Sequence, residues 1–321
     1  MADQEFMRKL LGPVKPEGIA LDPAAKKKYE PLLISAMKHP DKDVRTACLY
    51  ILDLLMVKDS ALVKRVLEKT LQSKTRLGLL NLAKFVVHSE HSSEARLRPF
   101  RAKLAKRTEI HHEEFKRLLK GIPQNRVATA QSPSVGKMLI VIHGTWASGE
   151  DWWRPGSPFP NYLDSVTHSV YNGADPFSWS GRNSDRARIE GADILMKWTR
   201  AHPAQELTVV AHSHGGNVAI LASRNGLMID RLILLGTPSR LDYLPDLRHG
   251  IKLLYSVFSL GDKVQILGTD SVPRGEGRTL GDSQTGVSFR AMTASGSDLG
   301  HSDLHEVSVW QTNNFDRLLY F

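Results

Sequence analysis

Residues 207–221 read LTVVAHSHGGNVAIL, and this stretch decides the fold. Leu207–Ala211 is an apolar run of strand length, and Asn217–Ser223 suits a helix. Between them stand His212, Ser213, His214, Gly215 and Gly216. The pattern predicts a buried strand, a one-residue turn carrying a serine, and a helix packed back on the strand. Such a turn leaves no room for side chains two residues either side of the serine. Ala211 and Gly215 meet that demand, and Gly216 lets the helix come close. The hydroxyl then projects at the carboxyl edge of the sheet above a helix N-terminus, as in a nucleophile elbow. A small-x-Ser-x-Gly string alone would arise by chance roughly a few tenths of a time in such a chain. What flanks it carries the weight.

Downstream and upstream of the elbow, β-rich apolar runs alternate with helical ones. Met138–Ile142 is a predicted strand, Asp164–Tyr171 leads into another, and Arg186–Thr199 is helical. Arg231–Leu235, Leu253–Leu260 and Val287–Met292 follow as strands, and the tail Ser302–Leu319 is mostly helical. Alternation of this kind predicts a parallel sheet covered by helices on both faces, with the site at the strands' carboxyl ends.

The first part of the chain has a different character. Residues 1–25 hold three prolines and read as an irregular lead-in, and Lys26 to about Lys120 is helical, punctuated by Pro31, Pro40 and Pro99. Val44, Ala47, Cys48, Ile51, Leu54 and Leu55 form one apolar face behind an N-capping Asp41. His39–Arg45, HPDKDVR, resembles the turn of a HEAT-type repeat, although a single copy is legible and a plain helical bundle reads equally well. Ile122–Gly136, IPQNRVATAQSPSVG, lacks periodicity and reads as a linker. The expected organisation is a helical domain over 1–121, a linker over 122–136 and an α/β domain over 137–321.

Composition bounds the rest. An apolar fraction of 41% in 321 residues suffices for a core and argues against disorder. A single cysteine, Cys48, excludes an intramolecular disulfide and reads as an inert buried thiol. The N-terminus has no secretory pattern and no apolar run reaches membrane-spanning length, so a soluble cytoplasmic protein is expected, with signal-independent export left open. Residues 1–128 carry 26 Lys and Arg against 15 Asp and Glu, a net +11; residues 129–321 carry 17 against 19, a net −2. That asymmetry suits an anionic membrane surface or simply a solvated lysine-rich face, and no nucleic-acid partner is expected.

From about residue 136 onward the chain resembles a compact α/β-hydrolase of the bacterial lipase/esterase kind. The shared motifs are His143-Gly144-Thr145 after a strand, the elbow AHSHGG, and an Asp and a His downstream in that order. Ala211 stands where the commoner family pattern has Gly, as it does in a subset of bacterial lipases. A serine hydroxyl needs a base to take its proton, and the base needs an orienting acid; in this fold the chain order is serine, acid, histidine. Asp262, after the strand Leu253–Leu260, is the favoured acid, with Asp242 and Asp246 in competition. Ser302 suits a helix N-cap, which leaves His301 in the preceding loop as the base and makes His305 a surface or packing residue. The resemblance agrees on His301.

An acyl transfer also needs two preformed backbone donors for the oxyanion. The N–H of His214 is one, and the resemblance makes Thr145 the other and His143 a brace for the loop. A metal site built on His143, His212 and His214 lacks a carboxylate or thiolate to complete it. Trp146, Trp152 and Trp153 lie in the loop WASGEDWWRPGSPF, either lining a substrate pocket or packing it. The arginines of FSWSGRNSDRAR, residues 177–188, read as helix-surface residues capped by Asn183 or Ser184, with an anionic head group as the alternative. The expectation is a cofactor-free esterase or lipase acting on a small-molecule or lipid ester. The alternatives are a phospholipase drawn to anionic membranes by residues 1–128, or a non-catalytic interaction protein.

Overall fold

The computed structural model describes residues 4–15, 18–19, 21–73, 75–106, 118, 135–243, 250–269 and 287–320. The chain divides into two compact units, Met1–Gly121 and Ile122–Phe321. In the first, the described part of the lead-in forms regular elements, contrary to the sequence reading. It forms a helix, α1 (Gln4–Leu11), and a hairpin of β1 (Val14–Lys15) with β2 (Gly18–Ile19). Met7 and Leu10 form the buried edge of α1, and the Tyr29 hydroxyl donates to the Leu10 carbonyl at 2.5 Å. Packing stabilises a helix too short to persist alone.

Helix α2 (Pro23–Ala36) starts from Asp22, whose carboxylate accepts from the Ala25 N–H at 2.7 Å. Pro31 sits inside this helix and does not end it. The carbonyl it deprives of a donor belongs to Lys27, and both residues face solvent, where water substitutes. Helix α3 (Lys42–Lys58) is capped by Asp41, which accepts from the N–H groups of Asp43 and Val44. Arg45 closes the turn before it by donating to the carbonyls of His39 (2.7 Å) and Pro40 (2.6 Å). Of the expected apolar face, Leu54 is the exception, lying 38% exposed while the other five are buried. Cys48 is buried against the Leu33 carbonyl, and burial pushes its thiol pKa up. Helices α4 (Ser60–Gln72), α5 (Arg76–His88) and α6 (Arg98–Leu104) complete the described helices of this unit. The expected helical stretch from 107 to 120, Leu118 apart, lies outside the described residues. So does the linker, except Val135 and Gly136, which already belong to a strand.

The second unit is built on five parallel strands in consecutive spatial order: β3 (Val135–Ile142), β4 (Ala204–His212), β5 (Ile229–Leu235), β6 (Ile251–Phe258) and β7 (Val287–Arg290). Asp164–Tyr171 yields the end of a helix, α7 (Pro158–Thr167), and then only a one-residue parallel bridge from Val170 to Leu139. That bridge has a topological consequence. Leu139 pairs with Val170 on one side and Thr208 on the other, so the chain leaves β3 outward and returns across it to β4. The carboxyl ends of β3 and β4 therefore flank a switch point, where open α/β sheets form their crevices.

Alternate residues of the strands feed opposite faces. Ile140, Ile142, Val209 and Ala211 pack under α8 (Asp185–Ala201) and α9 (His214–Arg224). Leu139, Val141, Val210, Ile233 and Val257 pack under α7 and the C-terminal tail, which includes α11 (Val307–Asn313). The short helix α10 (Lys263–Leu267) follows β6. The chain is thus a mostly helical region, with one short strand pair, followed by a parallel sheet flanked by helices. No described helix is long and apolar enough to cross a membrane.

Candidate active site

Ser213 stands between β4 and α9 with φ +55° and ψ −138°, a conformation that costs a residue with a side chain of order ~1–3 kcal/mol. The sheet holds it there. Its N–H donates to the Leu235 carbonyl at 2.8 Å, and its own carbonyl accepts from the Gly216 N–H at 2.9 Å. The surrounding turn tolerates no bulk. A Cβ on Gly215 would lie 2.5 Å from the His143 carbonyl oxygen, and one on Gly144 would lie 2.6 Å from the Ser213 Cβ. The His143-Gly144-Thr145 turn is therefore pressed directly against the serine.

His301 and Asp262 meet: Nδ1 and Oδ2 are 2.7 Å apart, and both side chains are buried. A carboxylate accepts this bond, so its proton lies on Nδ1 and Nε2 is the ring nitrogen turned away from Asp262. The other carboxylate oxygen of Asp262 accepts from the Gln265 N–H at 2.7 Å and caps α10. The competing Asp242 is exposed, in a short turn of helix over Leu241–Tyr243; Asp246 lies outside the described residues.

The end of β5 links this pair to the serine turn. Gly236 follows Leu235 at φ +57°, and a Cβ on it would sit 2.8 Å from Asp262 Oδ2 and 3.1 Å from His301 Nδ1. His212, beside Ser213, donates from Nε2 to the His301 carbonyl at 3.0 Å, and the two rings are 4.4 Å apart. Ser259, fully buried at the end of β6, accepts from the Leu299 N–H at 2.8 Å and anchors the His301 loop. Ser213, Asp262 and His301 thus gather at the carboxyl ends of β4, β5 and β6.

The local details around His301 differ from the sequence reading. Ser302 begins a 3₁₀ turn, Ser302–His305, and His301 itself occupies the capping position. His305 is buried and stacks on Trp152 at 3.8 Å between centroids. Trp152 also meets His212 edge-on at 5.5 Å. Trp153 is buried against His143 and donates from its indole to the Ala147 carbonyl at 3.0 Å, and Trp146 is buried at φ +61°. Trp146 and Trp153 therefore pack the loop, and Trp152, half-buried, alone remains partly open.

His143 braces its turn. Nδ1 is 2.9 Å from the Gly144 carbonyl oxygen, Nε2 is 3.1 Å from Ser178 Oγ, and Trp179 donates to the His143 carbonyl at 2.8 Å. Burial lowers its pKa to about 4, so the ring is neutral. Thr145 places its Oγ1 in the interior with no hydrogen-bond partner among the described residues. His214 opens α9, whose first-turn N–H groups point out of the helix end. Its ring lies 2.9 Å from Asn217 Nδ2; burial first, then the nearby Arg188 and Arg240, hold its pKa well below the ordinary value. Among the described residues no group of three or more His, Cys, Asp or Glu is arranged to hold a metal.

Gly236 and Ser259 have no part in the site as read from sequence, which weighs His212 only as a metal ligand. Only His212 had a legible signal: alternation along β4 puts it on the same face as Val210, toward the tail that carries His301.

The chain matches no family model and no curated protein. Among solved structures, it aligns with a crystal structure of an uncharacterized protein from Bacillus cereus at 15% identity and a TM-score of 0.31. That alignment covers 98% of this chain and 100% of the other.

Proposed function

We propose that this chain is a serine hydrolase of the α/β-hydrolase kind that cleaves carboxylic esters. One observation carries the reading: a serine in a strained turn at a helix N-terminus, beside a buried histidine–carboxylate pair. Strain is retained where geometry serves a purpose, and a neutral imidazole oriented through Nδ1 suits a base acting through Nε2. Ser213 Oγ adds to the ester carbonyl carbon while its proton passes to His301 Nε2. The oxyanion accepts from the N–H groups of His214 and Thr145. Collapse breaks the bond to the alcohol oxygen, which takes the proton from His301 and leaves an acyl-serine. Water, deprotonated by His301, attacks that acyl group; the acid departs and Ser213 regains its proton.

Incubation with a fluorophosphonate probe tests the reading and separates it from a non-catalytic interaction protein. Wild-type chain labels at one site and hydrolyses a short p-nitrophenyl ester; Ser213→Ala does neither. Absence of labelling in the wild type rejects the reading.

The net +11 of residues 1–128 favours a narrower version, a lipase or phospholipase that works on anionic bilayers. It requires salt-sensitive binding to phosphatidylserine vesicles, and binding that persists unchanged at high salt rejects it.

A further inference from the structure

Arg188 lies in the first turn of α8, and its side chain is 4% exposed. Sequence placed it on the helix surface; the structure buries it. Nη2 donates to Asp185 Oδ1 at 2.6 Å, but Nε and Nη1 are buried with no hydrogen-bond partner among the described residues. Three features make this a poor place for a cation on stability grounds. Its charge is desolvated with two donors unsatisfied. It sits at a helix N-terminus, whose dipole repels positive charge. The acid it meets is shared, since Asp185 also receives Arg240 Nη2 at 2.9 Å and the Tyr243 hydroxyl at 2.6 Å. Arg188 and Arg240 thus both reach the Asp185 carboxylate.

The location is beside the nucleophile. One turn along α8, Gly191 closes on Val218 of α9, where an added Cβ would come within 3.2 Å of Val218 Cγ2. The first turns of α8 and α9 therefore lie side by side at the carboxyl edge of the sheet, with His214 on one and Arg188 on the other. The loop after β5 runs across both. Its Pro238 carbonyl accepts from Asn217 of α9 at 3.0 Å, and its Arg240 and Tyr243 reach Asp185 of α8. Arg188 is close enough to His214 to help keep that ring neutral.

We infer that Arg188 binds an anionic group, a phosphate or carboxylate, on the ester that Ser213 cleaves. Either idle nitrogen can form, with the second hydrogen of Nη2, the planar fork that two oxygens of such a group accept, and the paired helix N-termini add to the attraction. Both nitrogens are shielded from water, so contact requires a local rearrangement of the packing around them. The inference deepens the hydrolase reading and rests on it for the substrate's identity as an ester.

Its test has a binding arm that needs no turnover. Inorganic phosphate or glutarate is added to Ser213→Ala protein and the melting temperature is followed. At ten times its dissociation constant, either anion raises it by about 3 °C in a domain of this size. Adding Arg188→Met abolishes the rise and Arg188→Lys retains part of it. Phosphate acting alone assigns a phosphate-bearing ester, glutarate acting alone a dicarboxylic monoester; no rise with either overturns the inference. Should Arg188→Met fail to fold, the wild type decides by preference. Mono-p-nitrophenyl glutarate is then expected to be cleaved with a kcat/KM roughly tenfold above p-nitrophenyl valerate. Turnover of both esters without that preference, and without stabilisation by anions, overturns the inference and leaves the hydrolase reading standing. Stabilisation that depends on Arg188 in a chain that cleaves neither ester does the reverse.

Discussion

His212 holds His301 by its backbone: imidazole Nε2 donates to the carbonyl oxygen at 3.0 Å, across 89 residues of sequence. The neighbour of the proposed nucleophile thus fixes the loop of the proposed base. A misplacement of about 1 Å at a reacting group can cost on the order of 100-fold in rate. His212→Phe, which keeps the ring and loses the donor, should lower kcat for a p-nitrophenyl ester by roughly 10–100-fold with little change in KM. His212→Gln should recover part of it. An unchanged kcat in His212→Phe would show that the bond does not position His301.

Asp262→Asn tests the acid and preserves the fold. Asparagine still caps α10 through its carbonyl oxygen, but its amide nitrogen can only donate to Nδ1, which moves the ring proton to Nε2, the wrong tautomer for a base. The expected loss in kcat is about 10³–10⁴-fold, against less than about twofold for the exposed Asp242→Asn. Equal effects of the two, measured at saturating ester, would return the choice of acid to the open state in which sequence left it.

Gly236→Ala puts a methyl group 2.8 Å from Asp262 Oδ2 and 3.1 Å from His301 Nδ1, at φ +57°. Gly156 provides the control, with φ +87° and nothing within 4 Å of the added Cβ. Both substitutions should destabilise by about 1–2 kcal/mol from backbone strain. Only Gly236→Ala should also lose activity, by roughly 100-fold or more. Thermal melts and steady-state rates on the two variants check the split; a fully active Gly236→Ala protein refutes it.

His143 predicts an acid-sensitive fold. Its pKa of about 4 lies below the ordinary 6.5 because the ring is buried. As pH falls through 6.5 the unfolded chain takes up this proton before the folded one. The stability contributed by the neutral ring is therefore complete above about pH 6.5 and is lost by about pH 4, a change of about 3 kcal/mol. His143→Gln does not titrate. The stability of wild type relative to this variant, from urea melts, should shrink by about that amount between pH 7 and 4. A constant difference would mean that the ring does not stay neutral in the fold.

The α/β half was legible because strands buried on both faces must be continuously apolar. Leu207–Ala211 and Arg231–Leu235 announced themselves in that way, and glycines marked where backbone meets backbone. Asp164–Tyr171 was not a full strand because only Val170 reaches the edge of β3, and a single bridge leaves no period. In the helical half α1 was missed since its stability comes from Leu10 meeting Tyr29, a contact invisible in eight residues. Asp262 and His301 were readable as residue types after strand ends. Arg188 was not: charged residues at helical spacing look alike until packing decides which face is covered.

The stitching of Ser213 to Leu235 has a kinetic corollary. The Ser213 turn can form only when β4 and β5 are in register, and Asp262 and His301 need β6 and the tail as well. Such non-local closures come late in refolding, after local helices have formed. Diluted from denaturant, the chain should regain its ellipticity well before it regains any power to cut an ester.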